Sequence, residues 1–326
     1  MKKILKIAQS GTDSTPMPRI IFFGNERLSS GYQSSCVILK ALLDADYEIV
    51  AVVAHHTESK SSRNVRDLEV AEVAEKAGIP VLTPNKPLEI INELRDLKAD
   101  IGVLVAYGKI VPQEVIDIFP KGIVNIHPSL LPRYRGSTPI EQAILDGVQE
   151  TGVSLMQLVK EMDAGPVYVQ EKLALNGRET KKELTYDLLV ISKKLLLANL
   201  PTIIDDTLKP NSQKDSDATF CKQIEKTDGR IDWTKSAAQI EREVRAYAGW
   251  PKSYTKLGNL EIVITEAHAA PSASKDPGTI EIDDAQKLLM ICTSNGYLCI
   301  DKLIPAGKNE MPVSAFLAGY KDKIMA

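Results

Sequence analysis

Short β-branched runs alternate with helical spacing through the first hundred residues of this chain, and that alternation restricts it to few architectures. The extended runs are RIIFF (19–23), YEIVAVVA (47–54), PVLT (80–83) and DIGVLVA (100–106), separated by helical patterns over 32–45, 66–77 and 88–97. Strands joined by crossover helices lie parallel, and a parallel sheet is covered on both faces, so the expected unit is a doubly wound, mostly parallel α/β sheet. Such sheets bind ligands beyond the carboxyl ends of their strands, which makes residues directly after strands the informative ones.

After a helical stretch at 136–147 come two more extended runs, GVSLMQLV (152–159) and VYVQEKLAL (167–175), and a long amphipathic segment over 183–208. Its Leu184, Leu188, Ile191, Leu195 and Leu196 follow helical spacing, which predicts a helix lying on the sheet. A length of 326 residues favours two domains. We expect an N-terminal extension over 1–18, with Met17 directly before the first strand, a catalytic domain over 19–208, a polar, turn-rich linker over 209–219 and a second domain over 220–326. That last part opens on a helical pattern at 236–247, with Ser236 near its start, and continues in short strands punctuated by Gly, Asn and Pro. A small antiparallel β-barrel is the expected form.

Several classes of function lose support early. Gly24 follows the first strand, but the stretch reads GNERLSSG, not G-x-G-x-x-G, and neither G-x-x-x-x-G-K-[ST] nor G-x-S-x-G occurs. Four scattered cysteines without a C-x-x-C pair suggest neither a disulfide framework nor a zinc site. No run of 18 apolar residues is present and the N-terminal apolar stretch is too short for a secretory signal, so we expect a cytoplasmic protein with no membrane partner. His55 and His56 read as loop residues, and His268 as a surface or packing residue.

The densest polar cluster is KGIVNIHPSLLPRYRG (121–136). Ile123, Val124 and Ile126 mark a strand, so Asn125 and His127, two residues apart, share one face at its carboxyl end, where Pro128 stops the ladder. An amide and an imidazole projecting together into the ligand crevice can donate to a developing oxyanion; they can equally serve a local turn. A second polar turn, EMDAGPVYV (161–169), carries Asp163. An aspartate there usually shapes its own turn. Beside an imidazole, a carboxylate also fixes the ring's tautomer and favours its charged form. Arg133 and Arg135 flank this region, as phosphate or cofactor-tail contacts or as solvated loop residues.

The string NIHPSLLPRYRGSTPI, followed by TGVSLMQ and MDAGP, resembles the signature of the folate-dependent formyltransferases. Asn125, His127 and Asp163 match that family's catalytic Asn, His and Asp; Ser129, Leu130, Leu131 and Pro132 match its tetrahydrofolate-binding stretch, and Val105, Ala106, Tyr107 and Gly108 its folate-pocket loop. RIDWTKSAAQI (230–240), RAYAGWPKSY (245–254) and IPAGK (304–308) resemble the methionyl-tRNA formyltransferases within it. The resemblance spans about residues 17–320. It implies a Rossmann-like domain followed by an OB-like barrel that binds tRNA, 10-formyltetrahydrofolate as co-substrate with no metal, and initiator methionyl-tRNA as the acceptor for a monomeric enzyme. Formylation of a nucleotide-linked amino sugar is the alternative. Two departures stand out. Most bacterial members carry G-T-P-x-F where this chain has Gly24-Asn25-Glu26-Arg27-Leu28, and the basic loop that grips tRNA is short here (55–66), with Lys60, Arg63 and Arg66.

Charge does not announce a polyanion partner: 40 Lys+Arg stand against 43 Asp+Glu, and residues 209–326 hold 16 of each. Binding to nucleic acid would then rest on a few localised cations, for which Arg242, Arg245, Lys252 and Lys256 are the candidates.

Overall fold

The structure, a computed structural model, describes residues 17–29, 32, 36–55, 68–271 and 275–325. Residues 1–16, His56 and the loop cations Lys60, Arg63 and Arg66 lie outside these. Strands β1 (Arg19–Gly24), β2 (Glu48–Val53), β3 (Val81–Leu82), β4 (Ile101–Val105) and β5 (Ile123–His127) pair in parallel. Helices α1 (Val37–Asp44), α2 (Glu69–Lys76), α3 (Ile91–Asp96) and α4 (Gln113–Ile116) lie between them in sequence. The next elements are β6 (Arg135–Gly136), α5 (Pro139–Asp146), β7 (Glu150–Gln157), β8 (Val167–Ala174) and α6 (Lys181–Ile204).

β7 and β8 join the same sheet antiparallel, giving the order β3-β2-β1-β4-β5-β7-β8. The chain runs from β1 outward to β3 and then returns to the other side of β1 at β4, so a crevice opens where those two connections part. Alternation along the strands explains the two covered faces. Ile20, Phe22, Val103, Val124 and Ile126 pack with residues of α1, α2 and α6, while Ile21, Phe23, Val53 and Ile123 pack with Leu94 of α3 and Val115 and Ile116 of α4. The expected helix over 183–208 is α6. It starts at a reciprocal cap in which Thr180 Oγ1 accepts from the Glu183 amide and the Glu183 carboxylate accepts from the Thr180 amide.

The stretch 209–219 is stitched along the first sheet. Asn211 exchanges two backbone hydrogen bonds of 2.8 Å with Val167, and the Thr219 amide donates to the Pro132 carbonyl. Thr219 also accepts from the Tyr134 amide at Oγ1 and from the Arg135 amide at its carbonyl. The following β9 (Phe220–Cys221) pairs with β6.

Helix α7 (Ala237–Ala246) begins at Ser236, whose hydroxyl accepts from the Gln239 amide. Beyond it an antiparallel sheet forms from β10 (Ser253–Leu257), β11 (Leu260–Ala270), β12 (Ile280–Asp283), β13 (Leu288–Cys292), β14 (Tyr297–Pro305) and β15 (Met311–Pro312). Its order is β10-β11-β14-β13-β12, with β15 on β14. Ile262, Ile264, Leu289, Leu298 and Ile300 form its core with Ile240 and Val244 of α7 and Phe316 of α8 (Val313–Met325). Helix α8 is not among the expected elements, since Gly319 and the lysines near its end interrupt the apolar spacing.

This second sheet and α7 are clamped to the first. Arg242 Nε donates to the Leu145 carbonyl at 3.0 Å and Arg245 Nη1 to the Glu179 carbonyl at 2.9 Å. The fully buried Lys181 donates to the Trp250 carbonyl at 3.0 Å and lies 3.6 Å from Glu141. Arg242 and Arg245 therefore do not belong to a free basic face: their guanidinium groups are occupied at the junction. Lys252 and Lys256 are exposed and carry no ion pair among the described residues. No helix among the described residues is long and apolar enough to cross a membrane.

Candidate active site

A cavity of about 530 Å³ opens at the carboxyl ends of β1, β4 and β5. Its wall is built from Arg27 and Leu28 after β1, residues 106–111 after β4, the end of β5, Gly136, Ser137 and Pro139 before and at the start of α5, and residues 158–163 opposite. Gly24 is required at the exit of β1. Its φ is +139°, and a Cβ there would stand 1.9 Å from the Val105 carbonyl oxygen.

Asn125 and His127 sit side by side at the end of β5, on the face they share with Ile123, and both line the cavity although each is only 5–6% exposed. The Asn125 amide has no hydrogen-bond partner among the described residues, and its opening is the cavity. His127 Nε2 lies 2.9 Å from the Tyr134 carbonyl oxygen. A carbonyl only accepts, so Nε2 carries the hydrogen and Nδ1 is left facing the cavity wall. Asp163 Oδ2 lies 3.7 Å from that Nδ1, too far for a hydrogen bond. The same oxygen accepts from the Gly136 amide at 2.8 Å. Asp163 is itself left-handed, with φ +49°. Its main-chain oxygen accepts from Gln213 Nε2 at 2.7 Å, as does that of Gly165.

Ala106, Tyr107 and Gly108 line the cavity; Val105, fully buried in β4, does not. The Tyr107 hydroxyl is buried with no partner among the described residues, and burial pushes its pKa up to about 12. Ser129, Leu130, Leu131 and Pro132 lie outside this wall. Their polar atoms are consumed locally: Ser129 Oγ donates to the Arg133 carbonyl at 2.6 Å, Ser154 Oγ donates to the Ser129 carbonyl and accepts from the Leu131 amide, and Gln170 donates to the Leu131 carbonyl. Leu131 and Pro132 instead border a second hollow beside Asn211 and Gln213. Of the two flanking arginines, Arg133 is exposed, whereas Arg135 is 5% exposed. Arg135 is held by Gln213 Oε1 at 2.9–3.0 Å and by Asp215 at 2.8 Å. It is a bracing residue, not a solvated one.

The altered turn after β1 serves the fold as well as the cavity. The Glu26 carboxylate is fully buried and accepts from the amides of Ile38 and Leu39 at the start of α1; burial nonetheless pushes its pKa up to about 7. Asn25 ties the turn to the His55 carbonyl at 2.9 Å. His268 is exposed and paired with Asp301 at 2.9 Å, a surface contact as expected. Among the described residues no cluster of three His, Cys, Asp or Glu side chains could hold a metal ion.

Sequence reasoning missed three parts of this site. The Tyr134 carbonyl and the Gly136 amide are backbone groups with no side-chain signature, and Gln213 lies in a segment that reads as loop. The one available signal was the glycine of YRG, since at Gly136, with φ +120°, a Cβ would stand 2.6 Å from the Cys221 carbonyl oxygen.

With this geometry in hand, comparison with known proteins places the chain. Residues 19–200 match the model of the formyl transferase family and residues 223–321 that of its C-terminal domain. The chain belongs to the formyl transferase family. Within it, the chain groups with the methionyl-tRNA formyltransferases. It is 38% identical over 305 residues to the methionyl-tRNA formyltransferase of Chloroflexus aggregans (strain MD-66 / DSM 9485), covering 92% of this chain and 97% of that one. To that of Pseudoalteromonas translucida (strain TAC 125) it is 33% identical over 310 residues, covering 93% and 94%. Its fold is shared with HypX from Aquifex aeolicus in complex with tetrahydrofolic acid, at a TM-score of 0.61 and 18% identity over 93% of this chain. This family member spans about half the length of HypX, 47% of that chain.

Proposed function

We propose that this formyltransferase moves the formyl group of 10-formyltetrahydrofolate to the α-amine of methionyl-tRNA, and that Asn125, His127 and Asp163 carry the chemistry. The observation behind the reading is their convergence on one cavity in a chain whose full-length relatives bear that name. The cavity suits the folate: its volume falls within the range of about 300–1,000 Å³ common for small-molecule sites. Apolar Leu104, Ile110, Val111 and Leu158 line it beside the polar trio.

When the amine attacks the formyl carbon, the formyl oxygen gains negative charge. The unspent Asn125 amide donates to that oxygen. His127, its Nε2–H already held by the Tyr134 carbonyl, donates to the same oxygen from Nδ1, which lies 3.7 Å from the Asp163 carboxylate. Asp163 accepts the proton that the amine loses, and as the bond from carbon to the folate nitrogen breaks, that nitrogen takes a proton back. The antiparallel sheet of 253–312, read as an OB-like barrel, with the exposed Lys252 and Lys256 beside it, is the surface for tRNA, and the enzyme acts as a cytoplasmic monomer.

The test is acceptor mass spectrometry with 10-formyltetrahydrofolate and charged initiator or elongator tRNA. Formyl-methionyl-tRNA is the expected product. A formylated amino-sugar nucleotide with no formylated tRNA would overturn the reading.

A further inference from the structure

Gln213 lies 50 residues from Asp163 in sequence, in the segment that borders the second hollow. Both hydrogens of its amide are used, donating to the carbonyls of Asp163 and Gly165 at 2.7 Å each. Its oxygen accepts twice, from Nε and Nη2 of Arg135 at 3.0 and 2.9 Å. A guanidinium only donates and a carbonyl only accepts, so the amide has one possible orientation and every hydrogen-bonding position on it is filled. Arg135 is in turn braced by Asp215 at 2.8 Å.

What this amide holds is a strained residue. Asp163 adopts φ +49°, a region that residues with a side chain rarely occupy and that persists only where the surroundings over-determine it. Two contacts fix the residue from opposite sides: the Gly136 amide holds its side chain at Oδ2, and Gln213 holds its main chain. Gly136 follows Arg135 directly, so both contacts are anchored on the same two-residue strand. Release of the main-chain contact would let the turn relax and carry the carboxylate away from His127 Nδ1, where the present separation is 3.7 Å.

We infer that Gln213 is a positioning residue for the formyl transfer: by gripping the Asp163 and Gly165 carbonyls it sets the carboxylate of Asp163 against His127. The inference rests on the role given to Asp163 above. It also gives the segment 209–219 a reason to pass beside the Asp163 loop. Gln213 touches no reacting atom and acts only through Asp163.

Gln213→Glu separates the two halves of its job. An ionised glutamate still accepts from Arg135 but cannot donate to the two carbonyls, so the grip on the loop is lost while the Arg135 contact survives. Displacement of a catalytic group by about 1 Å commonly costs up to about 100-fold in rate. The expected result is a 10- to 100-fold lower kcat with KM for both substrates within about twofold, an altered pH profile of kcat, and faster hydrogen exchange at the Gly136 amide. Asp215→Ala is the companion variant: it removes the outer brace of Arg135 and leaves the Gln213 grip, and its kcat and Gly136 exchange should match the parent protein. A Gln213→Glu variant with kcat within twofold, or with Gly136 exchange unchanged, would overturn the inference. So would an equal loss of kcat in Asp215→Ala. Should the parent protein formylate no methionyl-tRNA, the proposed function fails, while Gly136 exchange still decides whether Gln213 positions Asp163.

Discussion

The two halves of the NIHPSLLP stretch lie next to one another and behave oppositely. In Asn125–His127, hydrogen-bonding capacity is left open toward a cavity: the Asn125 amide is unpartnered among the described residues, and only one nitrogen of His127 is committed. In Ser129–Pro132 every polar side chain and several backbone groups are spent on one another through Ser154 and Gln170. A buried polar group with no partner costs stability, so its retention points to a ligand, whereas a closed network points to scaffold. The same contrast recurs in the second half of the chain, where Arg242 and Arg245 are bound to carbonyls while Lys252 and Lys256 carry no ion pair among the described residues.

The comparison breaks most visibly at Asn125. Loss of one oxyanion donor commonly costs about 10²- to 10³-fold in turnover, so Asn125→Ala should lose that much in kcat while its thermal melt stays near that of the parent. A kcat within tenfold would move Asn125 to the scaffold side. Ser154→Ala should do the reverse. It strips partners from the Ser129 carbonyl and the Leu131 amide, both buried, and unsatisfied buried groups cost about 1–3 kcal/mol each. Urea unfolding should show a loss of that order with kcat changed less than about threefold.

Smaller effects sharpen the contrast among the charges. If tRNA is held by few cations, log KM should depend weakly on log salt, and Lys252→Ala and Lys256→Ala should each lower that slope by roughly 0.7–0.9. Arg242→Ala should leave the slope alone and reduce stability, because its guanidinium serves the Leu145 carbonyl. A steep slope in the parent protein would contradict the sparse-cation picture. Glu26 gives the smallest effect, and its sign is set by burial. Its pKa rises from 4.5 to about 7 in the fold, so the folded chain binds that proton more tightly than the unfolded one. The contribution to stability is complete below pH about 4.5 and is lost as pH rises through about 7. Denaturant midpoints at pH 5 and pH 8 should differ less in Glu26→Gln than in the parent, and an equal difference would remove Glu26 from the pH response.

Much of this was legible in the sequence for identifiable reasons. Period-two alternation put Asn125 and His127 on one face, and Pro128 marked the strand end, so their neighbourhood followed from local geometry alone. The β-branched runs and the Leu184–Leu196 spacing likewise report burial directly. Asp163 was different: an aspartate in a glycine turn looks the same whether or not it serves catalysis, and it gained weight only beside His127 and from the resemblance. Arg135 read as either a ligand contact or a solvated loop cation, because nothing local shows that Gln213 and Asp215 fold back onto it. Glu26, in a turn of polar residues, gave no sign that it would be buried against the start of α1.

The path of 209–219 bears on how this protein can be divided. Anyone seeking a minimal catalytic fragment would cut at the end of α6, at Ile204, where the packed helix stops. That cut would discard Asn211, Gln213 and Thr219 and leave the Val167 edge, the Asp163 carbonyl and the Tyr134–Arg135 backbone without the chain that covers them. The smallest piece that keeps these contacts whole runs through Cys221, the last residue of β9.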